Sequence, residues 1–185
     1  MVVDYGLGNL YSVARACRAA GLQLDVTSDP EILARADGIV LPGVGAFGDA
    51  MQTLRARGLD VALRGAVEHG VPLMAICLGI QLLMTESEEF GRHEGLKILP
   101  GRVVRLPDQR QGERRLKVPL VGWAELRPRR SWLGTPLEGA APGVSMYFVH
   151  SYFVQPENRS VILSTTRYGQ AEFCSSLEWR GVFAC

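Results

Sequence analysis

An α/β fold with a mostly parallel central sheet flanked by helices, extended by additional β-rich segments, is what this sequence predicts. Three observations predict it. The first half alternates short apolar runs with helical patterns, Gly- and Pro-bearing turns follow the apolar runs, and beyond about Gly95 the pattern changes to strand-like segments. The chain has 185 residues, 47% of them hydrophobic and 21% charged, an ordinary budget for one core. With no repeat and no dividing linker, residues 1–185 are expected to form one domain.

Each element has a local reason. Val2-Val3 opens as a strand, and Leu10, Val13, Ala14, Cys17 and Ala20 repeat at helical spacing until Gly21, a good helix terminator. Leu22–Val26 reads as a strand. Ser28-Asp29-Pro30-Glu31 then supplies an N-cap, a first-turn proline and acids for a second helix. Gly38–Leu41 is a buried-type strand that runs into the turn Pro42-Gly43-Val44-Gly45, and helical stretches follow around Ala50–Arg57 and Asp60–His69. The apolar strand Val71–Ile76 stops abruptly at Cys77, before a helix expected over Leu78–Glu86. Further strands are expected at Leu96–Leu99, Arg102–Leu106, Lys117–Leu126, Met146–Val154, Val161–Tyr168 and Glu172–Trp179, with a charged, solvated loop at Arg110–Lys117.

Composition narrows the function. Lys and Arg exceed Asp and Glu by one, so no large unbalanced charge would drive binding to a nucleic-acid backbone. No apolar run approaches the roughly 20 residues of a membrane-spanning helix, and the opening Met1-Val2-Val3-Asp4 lacks the basic start of a secretion signal. Cys17, Cys77, Cys174 and Cys185 stand far apart without metal-type pairing, and His69, His93 and His150 have no ligand spacing. A reducing, cytoplasmic setting without metal or cofactor is expected.

The chemistry concentrates in two segments. Ala75-Ile76-Cys77-Leu78-Gly79 places a nucleophile between an apolar strand and a helix with small residues two positions to either side, the pattern of a nucleophile elbow. A helix start there would lower the thiol pKa and offer free N–H groups to an oxyanion. The same pattern is open to a buried cysteine acting as a small hydrophobe. Pro42-Gly43-Val44-Gly45-Ala46-Phe47 follows another strand, so in a doubly wound sheet it could share a crevice with Cys77, though taken by itself it reads as a plain glycine turn.

Four segments in order carry a resemblance to the class I glutamine amidotransferases: Asp4-Tyr5-Gly6-Leu7-Gly8-Asn9-Leu10, Leu41–Phe47, Ile76-Cys77-Leu78-Gly79-Ile80-Gln81-Leu82-Leu83, and Tyr147-Phe148-Val149-His150-Ser151-Tyr152. The first and last resemble the branch of glutaminase subunits that serve imidazole glycerol phosphate synthase in histidine biosynthesis. The resemblance implies a flavodoxin-like core and Cys77 as nucleophile toward the side-chain amide of glutamine. It further implies an oxyanion held by the backbone N–H groups of Val44 and Leu78, and substrate binding by Gly45, Gln81, Glu89 and Ser151. Without it, Glu89 would read as a solvated acid. The implied partner is a cyclase subunit that receives the ammonia in a heterodimer, and no cofactor is implied.

The sequence also departs from that pattern. The family places its catalytic His and Glu in a His-Pro-Glu segment after a late strand, and here Arg180–Cys185 resembles that strand with nothing after it. A chain incomplete at its C-terminus, and nearly inactive as given, is therefore expected, and the start beside Asp4 suggests a clipped N-terminus as well. His150 is not promoted into the vacancy, because its motif lies on a separate strand, and His69 and His93 read as solvated. Ala75 stands where the class often has Gly. Leu120 and Ala124 replace a His and an Asn of the branch, and Trp123 reads as either a partner-facing anchor or a core residue. A non-catalytic scaffold and a glutaminase subunit of another synthase, serving anthranilate or guanylate synthesis, are the alternatives.

Overall fold

The first helix shows how local chemistry sets the architecture. In the computed structural model, which describes residues 1–111, 114–141 and 143–185, the side chain of Asn9 accepts the N–H of Ser12 and starts α1 (Leu10–Ala19) directly after β1 (Val2–Val3). Next come β2 (Val26–Thr27) and α2 (Pro30–Leu33), the latter capped by Asp29, whose carboxylate accepts the Glu31 N–H. Then follow β3 (Ile39–Leu41), α3 (Phe47–Ala56), α4 (Leu59–Glu68), β4 (Leu73–Ala75) and α5 (Leu78–Leu82). The second half is built from β5 (Glu86–Ser87), β6 (His93–Glu94), β7 (Gly101–Arg105), β8 (Arg110–Gln111), β9 (Arg114–Arg115), β10 (Leu120–Glu125) and β11 (Arg127–Pro128). It closes with β12 (Ser145–His150), β13 (Tyr152–Pro156), β14 (Ile162–Tyr168), β15 (Ala171–Trp179) and β16 (Val182–Ala184).

The central sheet runs β11-β14-β15-β16-β4-β3-β1-β2. From β2 to β16 its neighbours are parallel, in the 2-1-3-4-5 sense of a flavodoxin-like core, and from β16 outward they are antiparallel. The main core lies between the parallel half and its helices, with Leu41, Phe47, Leu54, Leu63, Leu73 and Leu82 all sealed from solvent. Burial of such side chains contributes about 1.5–3 kcal/mol each. A satellite sheet, β13-β7-β5-β6, and the two-stranded ribbon β10-β12 complete the body. Among the described residues no helix is long and apolar enough to cross a membrane.

Several expectations change. The stretch Leu22–Asp25 is irregular, and only Val26–Thr27 pairs with β1. The helix expected to Glu86 stops at Leu82, because the carbonyls of Leu82, Leu83 and Met84 accept N–H groups from Leu96, Leu99 and Lys97. That same bonding makes Leu96–Leu99 an irregular segment rather than a strand, with Leu96 and Leu99 buried and Lys97 exposed. The run Met146–Val154 breaks at Ser151 into β12, which pairs with β10, and β13, which pairs with β7. Arg110–Lys117 contains the small β8–β9 hairpin, with residues 112 and 113 outside the described set. His93 lies in β6, half-buried against Gly48 at the start of α3, instead of in a solvated turn.

Candidate active site

Parallel strands share a direction, so the segments leaving β1, β3 and β4 emerge on one edge of the sheet. Those segments are Asp4-Tyr5, the glycine loop Pro42–Phe47 and Ile76-Cys77. Leu41 and Ala75 are register partners, and the Ile76 N–H donates to the Leu41 carbonyl at 3.0 Å. The two segments expected to face one crevice therefore start side by side.

Cys77 sits at a strained elbow. Its φ of 57° is unusual for a residue with a side chain, and Cys185, just after β16, holds it there: the Cys77 N–H donates to the Cys185 carbonyl at 2.7 Å, while the Cys185 N–H donates to Ala75 O at 3.0 Å. The close approach needs two glycines. A Cβ on Gly79 would fall on the Leu41 carbonyl oxygen, and one on Gly43 would fall on the Tyr5 hydroxyl and press on Leu78. Gly43 and Leu78 touch, which brings the glycine loop against the first residue of α5.

The side chain of Cys77 is exposed and faces a cavity of about 480 Å³ lined by Gln81, His150, Tyr152, Phe173 and Cys185. Desolvation by these surroundings pushes its thiol pKa up, and the Leu78 N–H offsets this only in part. The helix start at Leu78 does lower it through that N–H, as expected, but desolvation outweighs the effect and the net direction is up. His150 is held neutral. Burial against the Phe148 and Phe173 ring edges lowers its pKa, opposed by the hydrogen bond of Nδ1 to Tyr152 O at 2.9 Å. That carbonyl also accepts Gln81 Nε2 at 3.1 Å. Among the described residues no imidazole or carboxylate hydrogen-bonds to the Cys77 sulfur.

The remaining residues implied by the resemblance fall around this edge. Val44 is half-exposed and Gly45 follows with φ 104° and open space above it. Glu89 is no solvated acid: its Oε2 accepts the Phe47 N–H at 2.6 Å, from a loop beyond β5, and so fastens the far end of the glycine loop. Ser151 occupies the break between β12 and β13, and the cavity wall runs through its neighbours His150 and Tyr152 without including it. Two features escaped sequence reasoning. Tyr5, fully buried, donates from its hydroxyl to Pro42 O at 2.8 Å, and the Cys185 backbone braces the elbow. The position of Tyr5 at the end of a buried first strand was the available signal for the former.

A second surface lies on the β10-β12 ribbon. Val121 faces Val149 and Trp123 faces Tyr147 across the pair, and all four are exposed, at 57%, 58%, 73% and 55%. The Trp123 and Tyr147 rings meet edge to face at 5.6 Å. Trp123 is therefore not a core residue.

With this geometry in hand, comparison with known proteins is direct. The family description "Glutamine amidotransferase class-I" matches residues 1–183. The chain is 50% identical over 183 residues to the imidazole glycerol phosphate synthase subunit HisH of Syntrophotalea carbinolica, covering 97% of this chain and 86% of that protein. It is 45% identical over 185 residues to the same-named subunit of Aquifex aeolicus, covering all of this chain and 85% of the other. A crystal structure of a glutamine amidotransferase superposes on 99% of the chain and 87% of its own length with a TM-score of 0.71 at 20% identity, a likeness of fold.

Proposed function

The chain belongs to the class I glutamine amidotransferase family, and from that premise we propose that it acts as the glutaminase subunit of an imidazole glycerol phosphate synthase. The observation that carries this reading is the Cys77 elbow abutting the glycine loop at the ends of β4 and β3. Residues 1–185 work as one amidotransferase domain in the cytoplasm, where the free thiols of all four cysteines persist.

The reaction uses named parts. The Cys77 thiolate attacks the side-chain amide carbon of glutamine, a C–S bond forms, and the oxygen takes the negative charge toward the N–H groups of Val44 and Leu78. The C–N bond breaks as the nitrogen gains a proton and leaves as ammonia. Water then cleaves the γ-glutamyl thioester to glutamate and restores the thiol. Gly45, Gln81, Glu89 and Ser151 hold the substrate, with the Glu89 carboxylate suited to the α-ammonium group. Ammonia passes to a cyclase subunit, for which the apolar face of Val121, Trp123, Tyr147 and Val149 is the docking surface.

A second reading has one observation in its favour. No base reaches Cys77 among the described residues, and its thiol pKa is raised, so these 185 residues alone should release little glutamate and could serve as a scaffold. The test is glutamate release with a cyclase subunit present, from the chain as it stands and from one carrying the family's His-Pro-Glu segment after Cys185. Release by the extended chain that Cys77→Ser abolishes supports the glutaminase. Persistent silence with intact cyclase binding favours the scaffold, and ammonia incorporation only with a different synthase partner points to anthranilate or guanylate synthesis.

A further inference from the structure

We propose that Tyr5 is a positioning residue of the glutaminase site, which fixes the backbone of the glycine loop so that its N–H groups meet the oxyanion. This deepens the glutaminase reading and rests on it.

Tyr5 follows β1, an interior strand between β3 and β2, and is buried. Its hydroxyl donates a hydrogen bond to the carbonyl of Pro42, the first residue of the loop. The same oxygen lies where a Cβ of Gly43 would be, so it touches the next residue too. Turning the Pro42–Gly43 peptide would break this buried hydrogen bond and leave both its groups unpaired, which holds the plane in place. The Gly43–Val44 peptide, which carries the Val44 N–H, is the next plane along. The loop is packed at its ends, at Pro42 and Phe47, while Val44 and Gly45 between them are exposed, so the stretch that carries the Val44 N–H has little packing of its own.

Glu89 clamps the other end through the Phe47 N–H. The loop is thus a span with two anchors, one from the first strand and one from beyond β5, and neither anchor is in the loop. Tyr5 is also close enough to Cys77 for a thiolate there to push the phenol pKa up further, after burial has raised it. The phenol therefore stays protonated and remains a donor throughout the working range. Tyr5 touches no reacting atom, and its action passes through the loop.

The experiment compares two electrophiles on the wild-type chain and on Tyr5→Phe, which keeps the ring and removes the donor. Iodoacetamide needs only the Cys77 thiolate. A chloroketone analogue of glutamine, 6-chloro-5-oxonorleucine, needs the substrate site and places its carbonyl oxygen where the oxyanion forms; Cys77 sulfur displaces chloride to give a thioether, and the thiol proton goes to solvent. In Tyr5→Phe the maximal chloroketone rate should fall about ten-fold while its half-saturating concentration stays within about two-fold and iodoacetamide labelling stays within about two-fold. Equal losses with both reagents would mean general disorder and overturn the proposal, as would equal chloroketone rates in the two proteins. Tyr5→Trp, with a donor that cannot reach Pro42, should behave like Tyr5→Phe if it folds; a thermal melt establishes that. Failure of the glutaminase reading looks different: glutamine then gives no protection against the chloroketone even in the wild-type chain.

Discussion

The parallel and antiparallel halves of the central sheet differ in how they use exposed surface. At the end of the parallel half, between β1, β3 and β4, backbone comes close to backbone, glycines stand where a Cβ has no room, and hydrogen bonds from distant residues fix each turn. On the ribbon laid beside the antiparallel half, large apolar side chains stand exposed, Trp123 and Tyr147 edge to face. The first arrangement buys geometry and the second offers contact area. A site that must hold an oxyanion to a few tenths of an ångström belongs to the first kind, and a surface that must recognise another protein belongs to the second.

Substitutions can break this contrast. The largest effect is expected at the nucleophile: Cys77→Ser should lower glutamate release by the base-complete complex by about 10³-fold or more, with the folded structure unchanged by circular dichroism. Gly79→Ala follows, since its Cβ would collide with the Leu41 carbonyl. A loss of about 3 kcal/mol is expected, read as a melting temperature lowered by roughly 10 °C. On the ribbon the pattern should invert. Trp123→Ala should weaken cyclase binding by about 2 kcal/mol or more, measured calorimetrically, yet leave the isolated chain's stability within about 0.5 kcal/mol.

Two pH experiments sharpen the comparison further. Burial raises the Cys77 thiol pKa, so in the chain of 185 residues the rate of iodoacetamide labelling at this site should still be climbing above pH 9.0, the ordinary thiol value. The smallest effect concerns His150. Its folded pKa lies below the ordinary 6.5, so the unfolded chain binds the proton first; stability is complete above 6.5 and is lost as pH falls through the lowered value. Denaturant melts between pH 7 and 5 should show this decline, and His150→Asn, which retains a donor toward Tyr152 O, should flatten it.

The same two halves differ in how much the sequence reveals. In the parallel half, α1 is bounded by Asn9 and Gly21 close to the residues expected, and Asp29 caps α2 as its spacing predicts. The elbow and the glycine loop adjoin as strand order implies. Local signals suffice there because each strand, turn and helix is set by its own few residues. Beyond Leu82 the outcome depends on distant partners. Leu96–Leu99 has strand-like residues, but its N–H groups turn back to the carbonyls of Leu82, Leu83 and Met84 at and just beyond the end of α5, and apolar content reports burial without reporting conformation. Nothing in Met146–Val154 announces that Ser151 divides a run shared between two sheets. Within the site, the residues of the nucleophile and loop are legible, while the two clamps, Tyr5 on Pro42 and Glu89 on Phe47, join positions far apart in the chain and only the fold brings them together.

The position of β16 carries a consequence for the order of assembly. It follows every other described strand in sequence but is an interior one in the sheet, inserted between β4 and β15, and the carbonyl of Cys185 just after it receives the Cys77 N–H. During synthesis, β4 and Cys77 leave the ribosome well before β16 exists, and the sheet stays divided until that strand arrives. Until then the elbow lacks its brace. The elbow is thus set only once β16 has formed, and a nascent or partly folded chain without that strand carries an unbraced Cys77.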